Sequence, residues 1–396
     1  MNRRFFAQLL SLGVGRPGLL PGRRHEQDAG ADEPKRPEAP PAEAVTVEDF
    51  RALAKAKLPR VAFDYITTGS ADEITLRENV AAFRRLKLLP PLLTGVSQVD
   101  LSITVFKQRV SLPVLLAPVA GQRMYHPQGA LAVARAAAEA GTVFGVSSNS
   151  FHSAEEIAAA APGPKWFQLY AARDRQVNRR LVERVERAGY QALVVTVDLG
   201  DWMDANRRNH FAVPRDMLIK HLRDFGFEQV SDRMTDAELA AFNGRAFEPS
   251  LSWQFFDWLR TVTRLPLLIK GVLRADDAKK AVAIGLDGII VSNHGGRRLD
   301  GVPASIDVLP SVVEAVGGRA EVYVDGGVRR GTDVLKALAL GAKAVLIGRP
   351  YAWALAADGE RGVRTVLEMF RQELLNAMLA TGCARVSDVR RSLLAI

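Results

Sequence analysis

Residues 266–292, PLLIKGVLRADDAKKAVAIGLDGIIVS, contain one complete structural repeat. Leu267 to Gly271 is a short apolar run with the look of a buried strand. Asp276 to Ile284 sets Ala, Val and Ile at helical spacing behind two acidic residues. Gly285 then offers the positive φ that ends a helix at little cost, and Gly288 to Ser292 opens the next strand. Strands buried on both faces read as continuous apolar runs, and two of them joined by a helix form the crossover unit of a parallel sheet.

The same unit recurs along the chain. Apolar runs fall at Leu112 to Ala117, Thr142 to Ser147, Trp166 to Tyr170, Ala192 to Asp198, Leu267 to Gly271, Gly288 to Ser292, Glu321 to Asp325 and Ala344 to Gly348, eight in all. Helices are predicted over Gln128 to Ala140, Arg175 to Ala188, Asp276 to Ile284 and Thr332 to Leu340, each followed by a glycine: Gly141, Gly189, Gly285 and Gly341. Eight strand and helix units in roughly 250 residues match an α/β fold of the closed (β/α)8 TIM-barrel type. The competing open, doubly wound sheet usually carries a glycine-rich dinucleotide loop after its first strand. Ala117-Pro-Val-Ala120 stands there instead, which favours the barrel.

Residues 17–43 are rich in Pro, Gly, Ala and charge with few periodic apolar positions, so residues 1–43 read as a flexible N-terminal extension to a domain spanning 44–396. The paired Arg3 and Arg4 before a short apolar stretch loosely resemble a twin-arginine export signal. The other reading is a tail on a cytoplasmic or membrane-associated protein. The stretch Asp201 to Pro266 interrupts the repeat between the fourth and fifth strands, and is expected to be either a lid or wall over the site or an ordinary packed excursion.

Composition narrows the chemistry. Of 396 residues, 48% are hydrophobic and 24% charged, as in a soluble globular chain. The single cysteine, Cys383, excludes an internal disulfide and disfavours a thiolate metal centre, and no metal site is expected. A formal charge of +9 favours small anionic ligands, since neither a basic run interleaved with aromatics nor zinc-finger spacing points to nucleic acid.

In such barrels the strand C-termini carry the site, so residues there meet in space. They are Pro118, Val119 and Ala120; Ser147; Gln168 and Tyr170; Thr196 and Asp198; Lys270; Ser292, His294 and Arg297; Asp325, Gly326, Gly327 and Arg329; and Gly348 with Arg349. The last two loops commonly seat a phosphate. Gly326, Gly327 and Gly348 would expose N–H groups, while Arg329 or Arg349 adds charge. Lys270 reads as a Schiff-base nucleophile, a fixed cation or a snorkelling residue. His294 is a candidate base oriented by Asp198. Arg297 is either a bidentate clamp for a substrate acid or half of an inter-loop salt bridge.

At this point the chain resembles a family, the FMN-dependent L-2-hydroxy-acid oxidases and dehydrogenases that include glycolate oxidase, lactate oxidase and the flavin domain of flavocytochrome b2. The resemblance rests on Ser292-Asn-His-Gly-Gly-Arg297, Leu58-Pro-Arg-Val-Ala-Phe-Asp-Tyr65, Phe167-Gln-Leu-Tyr170, Ile269-Lys-Gly271, Asp325-Gly-Gly-Val-Arg-Arg-Gly-Thr-Asp333 and Gly348-Arg-Pro350. It implies a barrel with an N-terminal helical segment and FMN held by the strand-end residues named above other than His294, Asp198, Arg297 and Tyr170. It also implies His294 as base, Asp198 as its partner, Tyr65 and Arg297 on the substrate carboxylate, and Tyr170 near the hydroxyl. Electrons would pass from flavin to oxygen, quinone or a cytochrome, in a homo-oligomer that is a tetramer by the same resemblance.

Two departures from the family pattern stand out. Asp198 is followed by Leu-Gly-Asp-Trp-Met-Asp-Ala-Asn206 where the family has a Pro-Arg-x-Gly-x-Arg segment, so a substrate arginine is missing in register; Arg207 or Arg208 is the candidate substitute. Asn149-Ser150 stands where short-chain oxidases often place an aromatic. Both suggest a changed substrate, larger than glycolate or not a simple acid. The alternatives are a non-flavin barrel enzyme built on Lys270 and a flavin-binding scaffold that has lost turnover.

Overall fold

The computed structural model describes residues 43–198, 200 and 203–395. The extension with Arg3 and Arg4 lies outside the described residues.

Eight parallel strands close into a barrel: β1 (Val114–Leu116), β2 (Phe144–Ser147), β3 (Lys165–Leu169), β4 (Ala192–Thr196), β5 (Leu267–Val272), β6 (Gly288–Val291), β7 (Glu321–Asp325) and β8 (Ala344–Ile347). Each pairs with its neighbours in sequence, and β8 returns to β1 through Val345 beside Val114, Leu346 beside Leu115 and Ile347 beside Leu116. Most strands are one to three residues shorter than their apolar runs. Tyr170, Asp198, Ser292 and Gly348 therefore lie just beyond the ladder, on the loops.

The strands read as unbroken apolar runs because both faces are covered. Inward-pointing Leu115, Trp166, Val194, Leu268, Ile290, Tyr323 and Leu346 form one buried cluster inside the barrel. Outward-pointing neighbours such as Val114, Phe167, Val195, Ile289 and Val324 pack under the helices in a second. This is the period-two alternation of a strand with two dry faces. The predicted helices appear as Gly129–Ala140, Arg175–Arg187, Ala275–Ala283 and Gly331–Ala339. Their trailing glycines all take positive φ: Gly141 at 67°, Gly189 at 84°, Gly285 at 77° and Gly341 at 98°.

Before the barrel, helices Val47–Lys57, Arg60–Thr67 and Ile74–Arg85 pack against its side, the first nucleated by a reciprocal Thr46 and Asp49 capping box. The insertion after β4 carries helices Asp204–Arg208, Arg215–Phe225 and Asp236–Ala246, ahead of the barrel helix Gln254–Val262. Among the described residues, no helix is long and apolar enough to cross a membrane.

Candidate active site

The mouth of the barrel holds a cavity of about 410 Å³, within the range of cofactor and substrate sites. Of the residues expected from sequence, Tyr65, Pro118, Val119, Ala120, Ser147, Tyr170, Thr196, Lys270, His294, Arg297, Asp325, Gly326, Gly327, Arg329, Gly348 and Arg349 line it. Asp198, Gln168 and Ser292 do not reach the lining. They stand behind it, bonded to His294, Ser147 and Lys270 respectively.

His294 follows β6 with φ of 57°, a left-handed conformation that costs a non-glycine residue roughly 1–2 kcal/mol. Its Nδ1 lies 3.0 Å from Asp198 Oδ1. A carboxylate only accepts, so the ring proton sits on Nδ1 and the Nε2 lone pair is left for the cavity. Burial drives the His294 pKa down to about 3, with Asp198 pulling the other way, so the imidazole is neutral at physiological pH. Burial also raises the Asp198 carboxyl, but His294, Lys270 and Arg298 outweigh it and hold that group below its ordinary value. The segment after β4 can approach β5 this closely because Gly271 in β5 has no side chain. A Cβ at Gly271, where φ is 118°, would stand 2.8 Å from Asp198 Cβ.

Lys270 is buried, with Nζ 3.0 Å from Asp325 Oδ2 and 2.8 Å from Ser292 Oγ. Burial disfavours its charge, yet Asp325 and Asp198 more than compensate and its pKa is raised. This corrects two of the three sequence readings. A lysine held protonated is no Schiff-base nucleophile, and one anchored at both contacts does not snorkel. It is a fixed cation on the cavity wall.

Among the described residues Arg297 has no carboxylate partner, so no inter-loop salt bridge is seen there. Its Nη1 donates to the carbonyls of Tyr65 and Thr68, and its guanidinium carbon lies 4.9 Å from the centre of the Tyr65 ring. Nε and Nη2 make no hydrogen bond to the described protein. Tyr65 in turn stacks on Phe211 at 4.4 Å and 7°. Tyr65 thus packs on one face and lines the cavity with the rest.

At the opposite end, Gly326 and Gly327 have φ of 92° and 87°, and their N–H groups, with that of Gly348, find no backbone acceptor among the described residues. Gly348 also precedes the long helix Arg349–Ala380, whose N-terminus favours an anion. Arg349 is occupied otherwise: its three nitrogens donate to the carbonyls of Thr67, Gly295 and Thr68. Arg329, beside the Trp353 ring and 3.4 Å from Glu48, is the arginine better placed to add charge at this anion seat.

Several features escaped the sequence. Tyr125, Met203, Phe247, Glu248, Leu251 and Arg298 also line the cavity. Met203, Phe247, Glu248 and Leu251 come from the insertion, which therefore walls part of the cavity, but no pattern in its sequence marked which residues face inward. Arg298 was hidden beside Arg297. The suggestion that Arg207 or Arg208 enters the site is overturned. Their side chains are 73% and 79% exposed and pair with Asp204 along their own short helix.

The cavity fits a ring carrying polar edges, joined through a hydroxylated chain to a phosphate. Buried Gln168 Nε2 and Asp325 Oδ1, a donor and an acceptor, have no hydrogen-bond partner among the described residues. Unpaired N–H groups wait at the phosphate end. The family model for FMN-dependent dehydrogenases matches residues 54–396. The chain belongs to this family. Human 2-hydroxyacid oxidase 1 is 48% identical over 355 residues, covering 88% of this chain and 96% of that protein. Spinach glycolate oxidase is 45% identical over 353 residues, covering 88% and 95%. The crystal structure of a mandelate oxidase superposes with a TM-score of 0.79 at 43% identity, covering 89% and 98%. The family's cofactor is FMN, as the sequence led us to expect, and the barrel architecture is confirmed with it.

Proposed function

We propose that this enzyme oxidises an L-2-hydroxy acid to the 2-oxo acid, with His294 as the base. The observation that carries the reading is the meeting, in one cavity, of a neutral imidazole backed by Asp198 and a guanidinium, Arg297, with donors to spare. Bound FMN supplies the two-electron sink for the reaction. The substrate gives up two electrons and two protons: His294 Nε2 takes one proton, and the other would leave with the electron pair to the bound FMN. Asp198 stabilises the imidazolium so formed. Arg297, with Tyr65, holds the carboxylate, and Tyr170 contacts the oxygen at C2. Lys270 would border the flavin ring and supply positive charge to its reduced form, with Ser292 holding Lys270 and Gln168 holding Ser147 from behind the lining. Asp325 receives the hydroxylated chain, and Gly326, Gly327, Arg329 and Gly348 hold the phosphate.

Met203, Phe247 and Leu251 of the insertion give the cavity an apolar wall, and Glu248 and Asn149 also line it. Such a wall favours a 2-hydroxy acid with an apolar or aromatic side chain over glycolate. The mandelate oxidase neighbour, solved with (S)-mandelic acid, is consistent with this preference.

The test is anaerobic bleaching of the flavin by a panel of glycolate, L-lactate, (S)-mandelate and longer L-2-hydroxy acids, followed by reoxidation with oxygen or a quinone. We expect bleaching fastest with the larger acids. His294→Gln is expected to keep its yellow colour and lose roughly a hundredfold or more in rate. A variant that turns over at the parent rate removes His294 from this role.

A further inference from the structure

We propose that Arg298 is a positioning residue of the substrate cavity, acting by fixing the phenol of Tyr170 as a hydrogen-bond donor. The inference rests on the functional reading above and adds a residue to it. Arg298 Nη2 donates to Tyr170 Oη at 3.0 Å, and its guanidinium carbon lies 6.0 Å from the Tyr170 ring centre. Nη1 of the same group donates to the carbonyl of Gly200. One prong of a planar, rigid fork is thereby anchored on the loop after β4, and the geometry of the guanidinium sets the other.

The consequence follows from the donor inventory of the two groups. Guanidinium has no lone pair to offer, so the bond can run in one direction only, into the phenol oxygen. The single proton of Tyr170 must then point elsewhere. Tyr170 lines the cavity and its hydroxyl meets no protein acceptor among the described residues, so that proton faces the ligand. The fixed charge also acts on the phenol. Burial raises the Tyr170 pKa while Arg298 opposes the rise, making the hydroxyl a stronger donor than burial alone would leave it. An oxygen of the substrate acid, negative at the start or gaining charge as His294 takes the proton, is the partner such a donor suits.

Charge and connectivity support this placement. The described lining carries five cations, Lys270, Arg297, Arg298, Arg329 and Arg349, against the two carboxylates of Asp325 and Glu248. Arg349 is spent on carbonyls, Lys270 on Asp325, and Arg329 lies at the phosphate end. Arg297 lies beside Tyr65 and Arg298 beside Tyr170. Two arginine and tyrosine pairs thus flank the space in front of His294.

A competing role, a tie between the loops after β4 and β6, makes a different prediction. The holoenzyme would be titrated with oxalate, an unreactive dianion, and followed by the change in flavin absorbance, for the parent, Arg298→Gln, Arg298→Lys, Tyr170→Phe and the double variant Arg298→Gln with Tyr170→Phe. We expect Arg298→Gln and Tyr170→Phe each to raise the oxalate Kd about tenfold, the double variant to be no weaker than Tyr170→Phe alone, and Arg298→Lys to recover part of the loss. The same non-additivity should appear in kcat/KM for the best acid of the panel. Independent, multiplying effects, or an Arg298→Gln variant that binds as the parent does, overturn the proposal. A parent that binds oxalate but oxidises no hydroxy acid sinks the functional reading instead, while the cycle still decides the role of Arg298.

Discussion

Replacing Asp198 by Asn isolates the electrostatic half of the acid–base pair. The amide oxygen can still accept from Nδ1, so the tautomer is kept, but the negative charge 3.0 Å from the ring is gone. At that distance and an effective dielectric of about 20, the attraction between a carboxylate and an imidazolium approaches ~5 kcal/mol. The imidazolium exists only once His294 has taken its proton, so the loss falls on the transition state, about 3–5 kcal/mol or roughly a hundredfold to several-thousandfold in kcat. Stability should hardly change, because Asp198 Oδ2 has no hydrogen-bond partner among the described residues and an amide is cheaper to bury than a charge. The assay is anaerobic single-turnover flavin reduction at saturating substrate, with a melting curve alongside. Gly271→Ala perturbs the same pair by shape, since its Cβ would stand 2.9 Å from Asp198 Cγ and drive the carboxylate off the ring. A loss under threefold for Asp198→Asn, with the melting temperature held, refutes the role given to the pair.

The remaining expectations concern stability and cofactor retention. Lys270→Met leaves Asp325 charged and buried without its cation, which should cost about 3–5 kcal/mol in urea unfolding and release flavin on gel filtration; parent-like behaviour would contradict the structural weight given to this pair. Gly327→Ala places a Cβ 1.9 Å from the Asn79 carbonyl oxygen at φ of 87°, so soluble expression or flavin content should collapse, and a well-folded yellow variant would show that the loop has room. Stability should fall in acid through His221, which is packed among Phe151, Phe225 and Phe247. Burial lowers its pKa from 6.5 to about 4, so the unfolded chain binds the proton first. Its contribution, on the order of 3 kcal/mol, is complete above pH 6.5 and disappears as pH falls through 4. His152, also lowered to about 4, acts in the same sense, and flat stability between pH 7 and 4.5 would be inconsistent with both.

The barrel was legible because its signal is local and repeated. An apolar run such as Gly288–Val291 has to be buried on both faces, and the glycine before it, Gly285, has to turn the chain. Where the runs overshot, as at Ala192 to Asp198, the strand closes at Thr196 with one further bond, from the Val197 N–H to the Lys270 carbonyl, before the chain leaves the sheet; a boundary of one or two residues is not set by composition. His294, Arg297, Asp325 and Lys270 were readable because the architecture says where a barrel keeps its chemistry. Their states were not readable. That Lys270 is neutralised by Asp325, that Arg349 is spent on carbonyls and that Gln168 stands behind the wall depend on contacts between residues far apart in sequence. Arg298 shows the limit most clearly, since adjacent arginines look alike in sequence and only their three-dimensional partners, Tyr65 for one and Tyr170 for the other, separate their tasks.

Those long-range contacts converge on the loop after β6. His294, Gly295 and Gly296 take positive φ in succession, at 57°, 65° and 73°. The two glycines are needed for space as well as for conformation: a Cβ on Gly295 would meet Arg349 Nη1 at 2.7 Å, and one on Gly296 would meet the Leu76 backbone nitrogen at 2.6 Å. The loop is therefore wedged between the start of the last barrel helix and the helices that precede the barrel. Arg349 fastens both sides, donating to Gly295 on the loop and to Thr67 and Thr68 at the end of helix Arg60–Thr67. Helix Arg60–Thr67 carries Tyr65, and the Tyr65 carbonyl takes a bond from Arg297. A helix outside the barrel thus becomes part of its site, and the strained backbone at His294 is held by packing that the same clamp supplies. The imidazole direction, the Arg297 fork and the Tyr65 ring are set together, so a change that loosens Arg349 would disturb substrate binding and proton transfer at once.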